Sequence, residues 1–230
     1  MHIDVSIPGY RRDTGRAGRL GEACMSATDI FNTAAKYTVL GTLQDPVIAK
    51  IRFTLGPWTV TPALFADVAA AVAAGNIQVI CNSALDKSAY YSSDTDQIEL
   101  AFMATNEVTK RALIVHECVH AGFDLNWLQG MEIAASEAAG YLAQCVFARA
   151  HLEDPKDPDF RLSGDDAEHD GVFEVGWRLA GKVLASQKLT NADYQDHLKA
   201  VLKHPKYPDG RSIAGWNGVS GYKYARRVVR

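Results

Sequence analysis

The chain contains little cysteine, and its cysteines are scattered. Of the 230 residues four are cysteines, Cys24, Cys81, Cys118 and Cys145, and no two of them form a C-x-x-C pair. This scarcity argues against a zinc site built from thiolates and against a dense disulfide framework, although the spacing is compatible with a single disulfide. We therefore expect Cys118 and Cys145 to pack as small apolar residues.

The chain also lacks long apolar runs and any excess of positive charge. Residues 1–10 contain no apolar stretch of the length that a secretory signal needs, and no run reaches the roughly 18 apolar residues of a membrane span. The formal net charge of −3 predicts no general affinity for nucleic acid or for a membrane surface. We expect a soluble, cytoplasmic protein. Export by a route that does not depend on an N-terminal signal stays open as an alternative.

The residues with the clearest chemical potential form one segment, His116-Glu117-Cys118-Val119-His120, preceded by an apolar run. Residues four apart share one face of a helix, with Cβ atoms roughly 5–6 Å apart. Both imidazoles can therefore reach one Zn²⁺ at about 2.0–2.1 Å. Glu117 is rotated by ~100° from His116, where it can accept a proton from a water molecule. The alternative is a surface helix with the two histidines at the edge of its solvent-exposed face, but such a helix would carry more charged residues than this segment does.

A catalytic zinc site usually has a third protein ligand, and the helix predicted over residues 131–150 offers two glutamates. Glu137 shares its face with small and apolar residues, so its carboxylate would gain from a metal partner. Glu132 lies about 140° away and is typical of a carboxylate at a helix N-terminus. We predict Glu137 as the third ligand, with a structural salt bridge as its other interpretation. Four residues stay open as alternative ligands: Glu132, Asp124, His151 and His169.

Two segments together, His116-Glu117-Cys118-Val119-His120 and Ser136-Glu137-Ala138-Ala139, resemble the zincin metallopeptidases of the gluzincin kind. The resemblance covers about residues 89–150. It implies a zinc ion held by the two histidines and Glu137, with Glu117 as general base. The chain departs from the longer zincin pattern at Gly122, where a bulky apolar residue is common. It lacks both the third histidine of the metzincins and an N-E-x-x-S-D block, so no specific gluzincin family is assigned.

Strands are predicted mainly before the metal-binding helix. A helix begins at Thr61-Pro62 and ends near Gly75, as expected for a Thr cap, an early Pro and a terminal Gly. Four segments read as strands, the last two forming a hairpin: Val47–Phe53, Ile77–Cys81, Ser88–Tyr91 and Gln97–Phe102. By resemblance to zincins, Gln97–Phe102 would be the edge strand that pairs with the main chain of the substrate. A covered structural strand is the alternative.

We therefore predict an α+β, zincin-like fold. A small mixed or antiparallel sheet packs on the HExxH helix, and a mainly helical C-terminal half follows, including a helix started by Thr190 and Asp193. The single domain is predicted over residues 23–203, with the sheet and active-site helix reaching to about 124 and the helical part starting from about 130. Residues 1–22 are predicted to form a mobile arm, and residues 204–230 a basic and aromatic tail.

The predicted function is that of a zinc-dependent metallopeptidase acting on a peptide or protein substrate. The polar segment 151–170 could wall the cleft, and His151 or His169 there could stabilise an oxyanion, although a solvated histidine is the simpler interpretation. The competing hypothesis is a non-enzymatic module in which the metal is structural and the protein binds a partner. Neither the substrate-binding residues nor the oligomeric state follow from the sequence.

Overall fold

The computed structural model describes residues 26–85, 88–152, 162 and 167–221. Within these ranges the chain is a mixed α+β protein with six α-helices and five short strands, which confirms the predicted fold class at that level. The predicted arm over residues 1–22 lies outside the described residues. So do Cys24, the side chain of His169 and residues 222–230 of the predicted tail. No helix in the described part of the chain has both the length and the hydropathy needed to cross a bilayer.

The first part of the chain contains a helix, a 3₁₀ turn and a two-stranded hairpin. Helix α1 begins with a capping box in which Ser26 Oγ accepts from the Asp29 N–H at 3.1 Å. The predicted strand over 47–53 is wrong, because Asp45 caps a 3₁₀ turn by accepting from the Val47 N–H. The elements are α1 (Ala27–Leu43), the 3₁₀ helix (Pro46–Lys50), β1 (Phe53–Leu55) and β2 (Trp58–Val60).

Helix α2 (Pro62–Ala74) is where the sequence predicts it. Thr61 is its N-cap residue, and the helix ends at Gly75, whose φ of 81° lies in the left-handed region that favours glycine. Gly122 lies in the helix that contains His116 and His120, and a Cβ there would overlap the side chain of Leu64 on α2. The bulky residue common in zincins at this position is therefore excluded by the close approach of α2.

The main sheet has three strands, β3 (Gln78–Cys81), β4 (Ala89–Ser92) and β5 (Gln97–Leu100), in the order β3-β5-β4. The predicted hairpin is confirmed, since β4 and β5 pair antiparallel with Tyr91 opposite Ile98. The predicted edge strand is wrong. Strand β3 pairs in parallel with the far side of β5, so β5 is central and has main-chain partners on both sides. Among the described strands, β4 is the edge nearer to the helix that contains His116 and His120.

Four helices follow the main sheet in the described chain, and small residues let them approach closely. A Cβ at Gly176 would lie 2.8 Å from the Cys145 sulfur of the neighbouring helix. Cys118 and Cys145 are buried, free thiols, as predicted. Thr190 and Asp193 form the predicted capping box. The helices are α3 (Val108–Leu125), α4 (Ile133–Ala150), α5 (Ala167–Leu184) and α6 (Asn191–Leu202).

Residues 204–221, which we call the C-terminal segment, pack against the start of α4. The Ile133 N–H donates to the Ser212 carbonyl and the Ala134 N–H to the Gly210 carbonyl, both at 2.9 Å. These are two of the N–H groups that a helix N-terminus leaves without an intrahelical partner. The segment that the sequence assigned to a tail thus supplies carbonyls that cap the N-terminus of α4.

Candidate metal centre

The two histidines of α3 and Glu137 of α4 meet at one point. His116 Nε2 lies 3.2 Å from Glu137 Oε2, and His120 Nε2 lies 3.6 Å from Glu137 Oε1. One ligand atom from each residue lies within 4.8 Å of the others, and the described residues contain no other group of three or more His, Cys, Asp or Glu side chains so placed. Tetrahedral ligands about 2.1 Å from an ion would be about 3.4 Å apart. The donor set and its spacing therefore fit a zinc ion.

Both imidazoles are oriented by α4. His116 Nδ1 lies 3.1 Å from Gln144 Oε1, and His120 Nδ1 lies 2.8 Å from Ser136 Oγ. Because an amide oxygen only accepts, the proton of His116 sits on Nδ1, and Nε2 is the nitrogen left for an ion. Such partners fix the tautomer and the ring orientation in metal sites. Sequence reasoning missed both roles, although Ser136 precedes Glu137 and Gln144 shares its helical face.

The charges of His116, His120 and Glu137, which we call the ligand group, suit a bound cation. Burial alone would raise the pKa of Glu137, but the charges and hydrogen bonds of His120 and His116 outweigh it and hold that pKa well below its ordinary value. Burial likewise opposes the charged form of His120, yet the Glu137 carboxylate raises the pKa of this ring. Glu137 is thus ionised at neutral pH, the form that a cation requires.

Glu117 lies beside the ligand group and points to the sheet. Its Oε2 accepts a 2.9 Å hydrogen bond from the main-chain N–H of Tyr91, on the edge strand β4. The carboxylate is buried with only 6% of the residue exposed, and it lines the same cleft as the three ligands. Glu117 is outside the ligand group, which agrees with the geometry expected for a glutamate one residue after the first histidine.

The C-terminal segment adds two aromatic side chains that sequence reasoning missed. The Tyr207 hydroxyl donates to Glu137 Oε2 at 2.9 Å and lies 2.8 Å from the Tyr141 hydroxyl. Trp216 stacks on His120 with ring centroids 5.8 Å apart. Burial, reinforced by the nearby Glu137 charge, raises the pKa of both tyrosines, so both remain hydrogen-bond donors. Only their aromatic character was available from the sequence as a signal.

The ligand group opens into a cleft of about 480 Å³ between β4 and the C-terminal segment. A Cβ at Gly140 would come within 2.9 Å of His116 Nε2, so this glycine permits the close approach of α4.

A larger groove of about 1130 Å³ lies between the β1–β2 hairpin and the α5–α6 connection. Its described lining contains no His, Cys, Asp or Glu, whereas the candidate ligands line the smaller cleft.

Three of the four alternative ligands are engaged elsewhere, and the side chain of the fourth, His169, lies outside the described residues. Glu132 Oε2 accepts from Arg211 at 3.1 Å. Asp124 accepts from Tyr91 and from the main chain of the C-terminal segment. His151 Nε2 lies 3.2 Å from Asp45 Oδ2, and His151 does not line the cleft. It is therefore not placed to stabilise an oxyanion there, the role that the sequence offered to His151 or His169.

Comparisons with protein families, with curated proteins and with solved structures found no match.

Proposed function

We propose that the protein is a zinc-dependent peptidase with a zincin-like centre, in which His116, His120 and Glu137 hold the ion and Glu117 is the general base. The observation that carries the proposal is the convergence of two oriented imidazoles and one ionised carboxylate within 4.8 Å, in a cleft that also contains a second acidic side chain, Glu117, outside the ligand group. This combination supports a catalytic metal more than an isolated salt bridge.

A zinc ion bound there would polarise the scissile carbonyl and lower the pKa of an adjacent water towards about 7. Glu117 accepts the proton of the attacking water. Its Oε2 is held by the Tyr91 N–H, which leaves Oε1 to take that proton and to deliver it to the departing amine. The Tyr91 hydrogen bond keeps the carboxylate from rotating, so the base is oriented before the substrate arrives.

Tyr207 is the residue we propose to donate to the oxygen of the substrate carbonyl as negative charge develops. Its hydroxyl is already directed at the ligand group, 2.9 Å from Glu137 Oε2, and the Tyr141 hydroxyl 2.8 Å away supports it. A preorganised neutral donor of this kind is suited to stabilise an oxyanion. In this proposal Tyr207 takes the oxyanion-stabilising role for which the sequence offered His151 or His169.

The proposed substrate is a peptide or an extended protein segment. Strand β4 pairs with β5 on one side only among the described strands, and residues of β4 line the cleft. A peptide bound there could pair with the main chain of β4 by strand addition. The strand that we propose for substrate binding is thus β4, after the sequence pointed to the neighbouring strand of the same hairpin.

Metal analysis combined with hydrolysis of a fluorescence-quenched peptide library tests the proposal. The wild type is expected to carry a single zinc ion and to cleave peptides. His120→Ala and Glu137→Ala are expected to lose zinc, because each removes a ligand. Glu117→Gln should keep zinc and lose hydrolysis, while Glu132→Gln, the matched control at the start of α4, should keep both.

Two results would contradict the proposal in different ways. Full zinc content in Glu137→Ala would mean that the third ligand lies elsewhere. Hydrolysis by Glu117→Gln at the wild-type rate would remove the general base from the mechanism.

One observation favours a second function, a non-enzymatic module with a structural metal. The centre joins α3, α4 and the C-terminal segment through His120, Ser136 and Trp216, so a bound ion would stabilise the packing of these elements. A large fall in melting temperature on chelation, with no cleavage of any library peptide by the zinc-loaded protein, would favour this function over catalysis.

A further inference from the structure

Asp124 is a buried acid that the proposed mechanism does not use. It is 0% exposed and lies in the last turn of α3, where the negative end of the helix dipole disfavours a carboxylate. Burying a carboxylate is also costly unless hydrogen bonds compensate it. Burial raises its pKa against hydrogen bonds from Gly218, Tyr91 and Asn217. A carboxylate in so unfavourable a place needs a structural or functional reason.

The two oxygens of Asp124 bind two different walls of the cleft. Oδ2 accepts from the Tyr91 hydroxyl at 2.8 Å, and Oδ1 accepts from the Gly218 N–H at 2.8 Å. Tyr91 belongs to β4, and Gly218 belongs to the C-terminal segment. A single side chain on the metal-binding helix therefore fixes both elements between which the cleft opens.

Each of these links continues to a residue of the proposed centre. The main-chain N–H of Tyr91 holds Glu117 Oε2 at 2.9 Å, so the Tyr91 side chain and main chain connect Asp124 to the general base. Gly218 is two residues after Trp216, whose ring stacks on His120. On the far side of Gly218 the Ser220 N–H donates to Asp96 Oδ2 at 3.0 Å, which anchors the end of the segment.

We propose that Asp124 is a positioning residue, which holds β4 against Glu117 and the C-terminal segment against His120 and so sets the geometry of the cleft. The inference rests on the proposed peptidase function. Asp124 is not one of the three candidate ligands and does not line the cleft, so we expect its effect to pass through Tyr91 and residues 216–218. Removing it is therefore expected to alter turnover and substrate binding while zinc stays bound.

The experiment compares Tyr91→Phe, Asp124→Asn, Asp124→Ala and the double variant Tyr91→Phe/Asp124→Ala. The readouts are zinc content, melting temperature, and kcat and KM for the library peptide that the wild type cleaves fastest. Tyr37→Phe, at a tyrosine that is 70% exposed on α1, is the control for loss of a hydroxyl. Asp67→Ala on α2, outside the cleft lining, is the control for loss of a carboxylate.

All four variants are expected to retain zinc. Tyr91→Phe should lower kcat about tenfold with KM nearly unchanged, because it loosens the strand that holds the base. Asp124→Ala should lower kcat/KM by about 10- to 100-fold, the range found when residues that support metal sites are removed. Asp124→Asn should recover most activity, since its amide can accept from Gly218 and donate to the Tyr91 oxygen. In the double variant, Tyr91→Phe should add no more than about twofold to the effect of Asp124→Ala, because Asp124→Ala has already broken the hydrogen bond that Tyr91→Phe removes.

Several results would overturn the inference. Wild-type kcat in Tyr91→Phe would do so even if Asp124→Ala failed to fold. Loss of zinc in Asp124→Ala, or effects of the two substitutions that multiply in the double variant, would also do so. A wild-type protein that neither binds zinc nor cleaves peptides refutes the proposed function and this inference together, whereas an active wild type with an unaffected Tyr91→Phe refutes the inference alone.

Discussion

At the scale of single residues, the candidate centre depends on side chains that hold other side chains. Ser136 and Gln144 each bind the Nδ1 of one histidine, so that the Nε2 atoms face Glu137. A free imidazole ring would have to lose rotational freedom on binding an ion, whereas these two rings are already ordered. The affinity of the site for metal should therefore depend on residues that do not touch the metal.

Ser136→Ala tests this dependence. The substitution removes the partner of His120 Nδ1, 2.8 Å away, and leaves every proposed ligand in place. We expect zinc affinity to fall by about 10- to 100-fold, the usual effect of removing a partner of a ligating histidine. Competition titration against a chromophoric chelator measures the change. Ser83→Ala, at an exposed serine, is the control, and equal affinity in the two variants would show that Ser136 does not orient the ring.

At the scale of secondary-structure elements, the position of α4 against α3 decides whether the centre forms. Gly140 faces His116 so closely that a Cβ would lie 2.9 Å from Nε2, whereas Gly41 on α1 has no atom within 4 Å of its Cβ position. Both glycines lie inside helices, where alanine is intrinsically favoured by about 1 kcal/mol. The same substitution at the two positions should thus have opposite effects.

Gly41→Ala is expected to stabilise the protein by about 0.5–1 kcal/mol, from helix propensity alone. Gly140→Ala is expected to weaken zinc binding by about tenfold or more, because the methyl group displaces the His116 ring or pushes α4 away. Denaturant unfolding and chelator competition measure the two quantities on each variant. A Gly140→Ala protein with wild-type zinc affinity would mean that α4 does not approach His116 as described.

The element scale also shows what the sequence could predict. The positions of α2, the β4–β5 hairpin, the HExxH helix and α4 follow from local signals, namely hydrophobic periodicity, caps and turn residues. The position of Glu137 near the two histidines agrees with its predicted helical face, because the face that a residue occupies on a helix depends only on local spacing. The 3₁₀ turn at Pro46–Lys50 was missed because a short apolar run does not distinguish a strand from a tight helix.

Long-range contacts account for the remaining differences. β5 is central because β3, the strand that follows α2, pairs with it in parallel. No local feature of the sequence indicates this strand order. Tyr207 is 70 residues from Glu137 in sequence, and Gly218 is 94 residues from Asp124. Aromatic and glycine-rich composition marked the C-terminal segment as a tail, because nothing near it in sequence shows that its carbonyls cap α4.

At the scale of the whole molecule, buried ionisable groups make stability depend on pH, each over its own pH range. Burial of Asp193 would raise its pKa, but Lys182 and Thr190 outweigh it and lower that pKa to about 2. The stabilisation from this group is present above its ordinary pKa of 3.8 and is lost only as pH falls towards 2. His197 of α6 is different, because it is 0% exposed and burial lowers its pKa to about 3.

His197 should therefore make the fold sensitive to mild acid. Below its ordinary pKa of 6.5, the unfolded chain binds a proton that the folded chain excludes until about pH 3. The free energy of unfolding should fall by up to about 1.4 kcal/mol per pH unit through this window. In His197→Gln this contribution is absent, so the difference in unfolding free energy between wild type and variant should shrink, or change sign, as pH falls from 7 to 4. Denaturant unfolding of the two proteins after chelation, at matched pH values, measures that difference without interference from metal loss. A difference that stays constant across this range would show that His197 takes up its proton as readily in the folded protein as in the unfolded chain, and is therefore not sealed between α5 and α6.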